Sequence, residues 1–159
     1  MSPGDWWFAM WQRLRSFAGL PAPERWFVLR ALGTLALVRV ALRLLPFGTL
    51  RTLVDLLAKA PRVAPDASVA RAVRRAVDRA ARTIPGSACL AQALTAELLV
   101  RRAGQGVRVS IGVAPNGKPL DAHAWVESEG VVVTGEIADL ARYLTLVVYG
   151  ADTRGGAGT

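Results

Sequence analysis

At 159 residues with 52% hydrophobic side chains, the chain is the size of one domain and can bury a genuine core, whereas two independent domains would be cramped. One cysteine excludes an intramolecular disulfide and favours a reducing, cytoplasmic setting; together with one histidine it also excludes the usual zinc sites, so no metal or other cofactor is expected. The net charge of +8 would suit nucleic acid, an acidic peptide, an acidic partner protein or an anionic membrane. Nucleic acid is not favoured, because 18 of the 20 basic residues are arginine and the whole chain is rich in Ala, Leu, Val and Arg, so the charge reflects the general composition.

Residues 1–62 form an apolar region with helical patterning. Its start, with Trp6, Trp7, Phe8 and Trp11, lacks the pattern of a signal peptide. Pro23 and Pro46 delimit a predicted helix of about 22 residues, and a shorter one follows over Phe47 to Lys59. Three arginines make a membrane-spanning role improbable, since each is costly at the bilayer centre: Arg30, Arg39 and Arg43.

The first helix has an apolar stripe that predicts packing on a core, made of Leu32, Leu35, Val38 and Leu42. Two alternatives stay open for this apolar region. It could offer a docking face to a partner, or it could attach the protein to a membrane surface, which is the less favoured of the two.

Residues 63–150 are predicted to form the functional core. A helix over Ala67 to Thr83 has one inward apolar face, of Val73, Val77, Ala80 and Ile84. Its other face carries an arginine stripe, Arg71, Arg75, Arg79 and Arg82. This stripe is interpreted either as a solvated helix face or as the electropositive wall of a groove for an acidic peptide.

The chain then changes from helix to strand. A helix that begins after Pro85-Gly86 ends at Gly104, and from Val107 onward the pattern alternates as in strands, with turns at "PNGK" and "SEG". Helices followed by a predicted antiparallel meander indicate an α+β fold. The tail, residues 151–159, is predicted to be disordered.

Cys89 is predicted to lie in the first turn of its helix, with Ser87 as N-cap. Free backbone N–H groups and the positive end of the helix dipole favour a thiolate there, as a nucleophile requires. The alternative is a buried cysteine that packs as a small hydrophobe, since its neighbours are apolar.

His123 lies on the predicted strand "LDAHAWVE", on the face that also carries Asp121 and Trp125. If Glu129-Gly130 is a two-residue hairpin turn, the register places Glu136 directly opposite His123, near enough to accept a hydrogen bond from the imidazole. Asp121 is the reserve acid and Asp139 a remoter one, because a bulge would shift this register.

A thiol at a helix N-terminus, a histidine on a strand and a nearby carboxylate are the constellation of nucleophilic acyl chemistry. In this interpretation the histidine takes the thiol proton, and the backbone N–H of Cys89 helps to hold the oxyanion. Gln92 is an auxiliary candidate for that oxyanion site, one helical turn further along.

Two motifs resemble those of a known family: Ser-x-Cys-Leu-x-x-Ala on the helix, at residues 87–93, and "AHAWVE" on the strand, at residues 122–127. Over Ile84 to Tyr149 the sequence resembles the transglutaminase-like leader peptidase of lasso-peptide biosynthesis, in its stand-alone form. The resemblance implies a papain-like cysteine peptidase core with Cys89 as nucleophile and His123 as base. The family's acid follows the histidine by about a dozen residues, where this chain has Gly135 and then Glu136.

The resemblance also implies partners and a reaction. The substrate would be a ribosomally made precursor peptide whose leader is removed through a thioester intermediate. A small leader-recognition protein and an ATP-dependent macrolactam cyclase would work beside the peptidase. The alternatives are acyl transfer to an amine on the same triad, and a non-catalytic peptide-binding or scaffold protein.

Overall fold

A computed structural model describes Gly19, residues 21–84, Gly86 and residues 88–114, 121–135 and 140–150 of the chain. Within these residues, four helices precede a four-stranded antiparallel sheet. The α+β prediction is therefore confirmed. The Trp-rich start, the "PNGK" turn, Glu136, Asp139 and the predicted disordered tail lie outside the described residues.

The two helices of the apolar region each begin directly after a proline: the first follows Pro21 and starts one residue before the predicted Pro23, and the second follows Pro46 as predicted. Helix α1 spans Ala22–Leu44 and helix α2 spans Phe47–Leu57. Proline suits the start of a helix because its missing N–H has no helical partner there. The buried face of α1 is made of Val28, Ala31, Leu35 and Val38, with Leu32 and Leu42 partly buried against the same core.

Helix α3 spans Ala67–Thr83, as the sequence predicts. Its N-cap is Asp66, whose carboxylate accepts hydrogen bonds from the Ser68 amide at 2.7 Å and the Ser68 hydroxyl at 2.8 Å. The bond from the Ser68 hydroxyl and then the bond from its amide hold the pKa of Asp66 below its usual value, and the charge of Arg71 acts in the same direction. The inward residues Val73, Val77 and Ala80 are fully buried.

Helix α4 spans Cys89–Arg102 and is the central helix of the molecule, packing on α1, α3 and the sheet. It is followed by Gly104 in the left-handed conformation, as expected of a helix stop. Gln105 then ties this end of the helix to the loop before α3, because its side chain accepts from the Asp66 amide at 3.0 Å and donates to the Ala64 carbonyl at 3.1 Å.

The sheet contains strands β1 (Arg108–Ala114), β2 (Asp121–Ser128), β3 (Val131–Thr134) and β4 (Leu144–Tyr149), in the spatial order β3-β2-β1-β4. The prediction of a simple meander is wrong for the last strand, which pairs with β1 rather than β3. Tyr149 explains this placement in part: its ring packs edge-on against Phe47 and lies 4.7 Å from the Arg51 guanidinium, so that α2 holds the end of β4.

The β2–β3 hairpin has the predicted turn, since Glu129 and Gly130 both have positive φ. Its register agrees with the predicted one for two pairs and then shifts at a bulge: Ser128 pairs with Val131, Glu127 with Val132, and Val126 with Thr134. The register prediction is therefore wrong beyond Val132, because one extra residue in β3 moves every later partner by one position.

The two faces of β2 belong to two clusters of buried side chains. Ala124 and Val126 join the main core between sheet and helices, which also contains the buried face of α1. Trp125 faces the opposite way and packs with Ala114 and Tyr143. The predicted alternation of faces along β2 is thus confirmed at these buried positions.

An ionic cluster around the buried Glu97 joins α2 to α4, and its other carboxylate, that of Asp55, is half exposed. Glu97 is fully buried, and its carboxylate accepts hydrogen bonds from the guanidinium groups of Arg51 and Arg101. Asp55 completes the cluster, accepting from Arg51 at 2.9 Å and Arg101 at 2.6 Å. Two guanidinium groups thus face two carboxylates, and the charges balance.

None of the helices in the described part of the chain combines the length and the apolar composition needed to cross a bilayer.

Candidate active site

Cys89 is the first residue of helix α4, in the position that the sequence predicts. The N-cap prediction is wrong, however: the capping position belongs to Ala88, which has no side-chain oxygen to bond the helix amides, and Ser87 precedes it outside the described residues. The first helical bonds run from Ala91 and Gln92 to the Ala88 carbonyl. The amides of Cys89 and Leu90 therefore have no intrahelical acceptor and can serve an anionic group.

Cys89, Gln92 and His123 line one cavity of about 410 Å³. Cys89 and Gln92 come from the first turn of α4, and His123 comes from β2. The remaining wall on the sheet side is the end of β3 and the residue after it, Val132 to Gly135. The structure thus brings together three residues that are separated by up to 34 positions in the chain.

The imidazole of His123 is held by a main-chain carbonyl. Its Nε2 lies 2.7 Å from the carbonyl oxygen of Gly135. A carbonyl only accepts hydrogen bonds, so Nε2 must carry the proton, and Nδ1 of the neutral ring is left with its lone pair. Nδ1 is therefore the atom that can accept a proton from a thiol in this cavity.

Gly135 can present its carbonyl in this way because it has no side chain. Its φ of +79° is a conformation that L residues with a Cβ rarely adopt. A Cβ there would also collide with the carbonyl oxygen of Ala124 and lie 2.8 Å from the Trp125 Cα. Close approach of the segment after β3 to β2 thus requires glycine at this position.

The ring of His123 is also confined by aromatic neighbours. The Trp125 ring lies 6.4 Å away in a nearly parallel orientation, and the Tyr143 ring lies 5.5 Å away. Trp125 and Tyr143 are both buried, so their positions are set by packing. These neighbours restrict the rotation of the imidazole, which keeps Nε2 directed at the Gly135 carbonyl.

Asp121, the reserve acid, is engaged elsewhere. Its Oδ2 accepts a hydrogen bond from the Tyr143 hydroxyl at 2.6 Å and another from Arg142 at 2.6 Å. Asp121 thus holds the hydroxyl of the tyrosine whose ring lies 5.5 Å from the imidazole of His123. Glu136 and Asp139, the other two acid candidates, lie outside the described residues.

Two charged residues of the cavity were not predicted from the sequence: Arg74 and Asp78 of α3. Arg74 donates to the Val132 carbonyl at 3.1 Å, which ties α3 to the wall of the cavity. Their spacing of four residues on α3, between the buried face and the arginine stripe, was a signal that both share one helix edge. No sequence pattern related that edge to Cys89.

A larger cavity, of about 750 Å³, lies at the opposite end of α4 and contains no comparable chemistry. Its charged lining residues are Lys59, Arg62 and Arg101, together with main chain around Gly104. Within the described residues it brings together neither thiol nor imidazole. The smaller cavity is therefore the candidate active site.

The site contains the groups that acyl chemistry needs. Cys89 offers a sulfur nucleophile, Nδ1 of His123 offers a base, and the amides of Cys89 and Leu90, which have no intrahelical acceptor, offer a place for an oxyanion.

The arginine stripe of α3 lies outside this cleft. Two of its members are engaged in other contacts, since Arg79 pairs with Glu24 at 3.6 Å and Arg82 donates to the Asp78 carbonyl at 3.2 Å.

Comparison with known proteins agrees with this chemistry. Residues 34–148, more than half of the 159-residue chain, match the model of the transglutaminase-like superfamily. No curated protein and no solved structure matches the chain. The matched range begins within α1 and includes Cys89, His123, strands β1 to β3 and β4 up to Val148. A cysteine peptidase or acyltransferase type of activity is what this superfamily suggests, and the chain belongs to it.

Proposed function

We propose that the protein is a cysteine peptidase that removes the leader from a ribosomally made lasso precursor peptide. The observation that carries the proposal is the pairing, in one cavity, of a cysteine at a helix N-terminus with a histidine whose Nε2 proton is held by a main-chain carbonyl. The two motifs around Cys89 and His123 support the narrower assignment to leader removal.

The reaction follows from the positions of these atoms. Nδ1 of His123 takes the proton from the Cys89 thiol, and the sulfur attacks the carbonyl carbon of the scissile peptide bond. The amides at the start of α4 receive the negative charge that develops on the carbonyl oxygen, and Gln92 is the auxiliary candidate for the same role. The imidazolium then protonates the leaving amine, and a thioester on Cys89 remains. Water, deprotonated by Nδ1, hydrolyses this thioester and restores the thiol.

The identity of a third catalytic group is part of the proposal. Glu136 directly follows the glycine whose carbonyl binds His123, and it is proposed to stabilise the imidazolium. Asp121 is the alternative, acting through Tyr143, and Asp139 is the next.

Acyl transfer is the second candidate function. The same thioester would be attacked by an amine in place of water, and the superfamily match supports this alternative as much as hydrolysis. A non-catalytic role as a peptide-binding scaffold is the third, and in that case Cys89 would not react as a nucleophile.

Partners follow from the same proposal. A small leader-recognition protein would deliver the precursor, and an ATP-dependent macrolactam cyclase would use the new amine. The exposed arginines Arg71, Arg75 and Arg82 of α3 would steer an acidic peptide towards the cleft beside them. The cytoplasm, where ribosomal precursors are made, is the proposed location.

The experiment is mass spectrometry of the precursor peptide after incubation with the protein, with and without the leader-recognition protein. The wild type is expected to cut at one site. Cys89→Ala is expected to reduce the rate to background, by about four orders of magnitude or more, because the nucleophile is lost. Glu136→Ala is expected to reduce it strongly, and Asp121→Asn serves as the comparison for the alternative acid.

Two further measurements separate the candidates. Because Cys89 is the single thiol, iodoacetamide labelling near neutral pH reports on it alone, and lack of labelling in native protein with no cleavage would favour the scaffold. Addition of a small primary amine reveals acyl transfer as an amide product in place of the free acid. Normal cleavage by Cys89→Ala would contradict the proposal in every form.

A further inference from the structure

Helix α1 exposes large apolar side chains along one side. Trp26, Leu29, Leu37, Val40 and Leu44, here called the α1 stripe, are each between 49% and 74% exposed. They follow one another at helical spacing, with the exposed Gly33 between Leu29 and Leu37, and the stripe is about 27 Å long. Monomeric soluble proteins rarely expose so extended an apolar surface without a use for it.

Rotation of α1 cannot bury the α1 stripe without exposing other apolar side chains. The opposite side of α1 is already buried, through Ala31, Leu35 and Val38. Helix α1 is therefore apolar on two sides, one against the core and one towards the surroundings. A rotation of the helix would exchange one exposed apolar face for another.

The charges beside the stripe have one sign. Arg25, Arg30 and Arg43 are exposed on the same side of α1. The one acidic residue of the helix, Glu24, is only partly exposed and pairs with Arg79 at 3.6 Å. An apolar stripe bordered only by arginines is complementary to a surface that is apolar inside and anionic at its rim.

We propose that the α1 stripe docks the protein on an anionic lipid surface, with α1 lying parallel to it. The apolar side chains would enter the boundary between headgroups and acyl chains, while the arginine stems extend their guanidinium groups to lipid phosphates. Apart from the indole N–H of Trp26, the stripe offers no side-chain hydrogen-bonding group that would specify a protein partner.

Lipid binding of this kind leaves the candidate active site free. The cleft is made by α3, α4, β2 and the end of β3, and no residue of the α1 stripe lines it. The proposal therefore stands apart from the proposed peptidase activity. An experiment can refute the lipid-docking proposal without refuting the peptidase proposal, and the reverse also holds.

The test is flotation of the full-length protein with vesicles in a density gradient. One vesicle set is phosphatidylcholine alone, and the other is a mixture of phosphatidylcholine and phosphatidylglycerol. We expect the wild type to float with the anionic vesicles and to be released by high salt. Leu37→Glu and Leu44→Glu should each lower partitioning about tenfold or more, because a carboxylate is costly in the lipid boundary. The double variant Arg30→Gln, Arg43→Gln should lower it on anionic vesicles only.

Leu146→Glu is the matched control, because Leu146 is 64% exposed and belongs to β4 rather than to the α1 stripe. It should float as the wild type does. Thermal unfolding and cleavage of a soluble peptide should be unchanged in Leu37→Glu, which separates loss of docking from loss of fold or activity.

Three results would overturn the proposal. The first is a wild type that stays at the bottom of the gradient. The second is flotation that Leu37→Glu and Leu44→Glu leave unchanged, since lipid would then be bound through another part of the chain. The third is equal binding to neutral vesicles. If a purified leader-recognition protein binds the wild type but not Leu37→Glu, and no vesicle does, the stripe is a protein interface instead.

Discussion

Gly135 contributes a main-chain carbonyl to His123, and its own conformation is what brings that carbonyl within 2.7 Å of Nε2. The positive φ and the closeness of Trp125 leave no room for a Cβ. A peptide carbonyl cannot neutralise an imidazolium as a carboxylate does, but it fixes the same tautomer. At the scale of single residues, backbone conformation is thus as important to this site as side-chain chemistry.

We predict that Gly135→Ala lowers both stability and activity. The strain of a positive φ at alanine costs about 1–3 kcal/mol, and relief of the collision would move the carbonyl away from His123. Urea unfolding and peptide cleavage measure the two effects. Gly33→Ala is the control, because a Cβ at Gly33 meets nothing within 4 Å; it should raise the free energy of unfolding by about 0.5–1 kcal/mol. Unchanged activity in Gly135→Ala would show that this carbonyl does not orient the histidine.

At the scale of elements, the ionic cluster around Glu97 couples α2 to the helix that carries Cys89. Glu97 is fully buried and pairs with Arg51 and Arg101. Burial by itself would lower the pKa of Arg51, but its hydrogen bonds to Glu97 and Asp55 outweigh burial and raise it. The pKa of Arg101 is raised in the same way, against the effect of its burial, by Asp55 and Glu97. The guanidinium groups thus stay charged at all relevant pH.

Removing the buried carboxylate of Glu97 should lower the stability of the protein. We predict that Glu97→Ala lowers the free energy of unfolding by about 3–5 kcal/mol, because two largely buried guanidinium groups would lose their buried acceptor and keep only the half-exposed carboxylate of Asp55. Chemical denaturation measures this loss. Glu127→Ala, at a partly exposed glutamate of β2, is the comparison and should cost much less. Equal losses in the two variants would mean that the cluster contributes little.

Because of Asp55, the contribution of the ionic cluster to stability should depend on pH. Burial would raise the pKa of its carboxyl, but hydrogen bonds from Arg101 and Arg51 hold the pKa below its usual value. A lowered pKa in the folded state means that the stabilisation is present above the unfolded-state pKa of about 3.9 and is lost as the pH falls through the lower folded-state value. We therefore predict that Asp55→Asn destabilises at neutral pH and that the difference from wild type shrinks in acid. Urea unfolding at several pH values checks this, and a constant difference would contradict it.

At the scale of the whole molecule, one core joins the apolar N-terminal region to the region that carries the site. Leu35 of α1, Val77 of α3 and Val126 of β2 belong to the same buried cluster. The family match likewise begins within α1, at residue 34. The division into an N-terminal region of residues 1–62 and a core of residues 63–150 stays a prediction, and it concerns roles more than separate folding units.

A pair of leucines tests this shared core. Leu35→Ala should cost about 2–5 kcal/mol, because it leaves a cavity among the buried residues of the cluster. Leu37→Ala, two residues later on the exposed side, should change stability by about 0.5 kcal/mol or less. Thermal unfolding of both variants should show one transition. A second transition confined to the N-terminal helices would mean that the two regions fold separately.

Structural features that depend on neighbouring residues in the chain could be predicted from the sequence. Helical spacing and prolines located α1 and α2, the alternation of apolar residues located the strands, and Glu129-Gly130 predicted the hairpin turn. The motifs around Cys89 and His123 predicted acyl chemistry and, through resemblance, the transglutaminase-like superfamily, which the family match confirms. Each of these signals lies within a few residues, where local sterics and periodicity decide the structure.

Contacts between distant segments of the chain became visible only in the folded molecule. Pairing of β4 with β1 is accompanied by the packing of Tyr149 on α2, a contact that no local pattern encodes. The bulge in β3 moved the register, and it brought a glycine carbonyl, which no side-chain motif could reveal, to His123. Arg74 and Asp78 reached the cleft because α3 packs against β3. These contacts depend on how the helices and the sheet fill one core, and that is a property of the whole chain rather than of any segment.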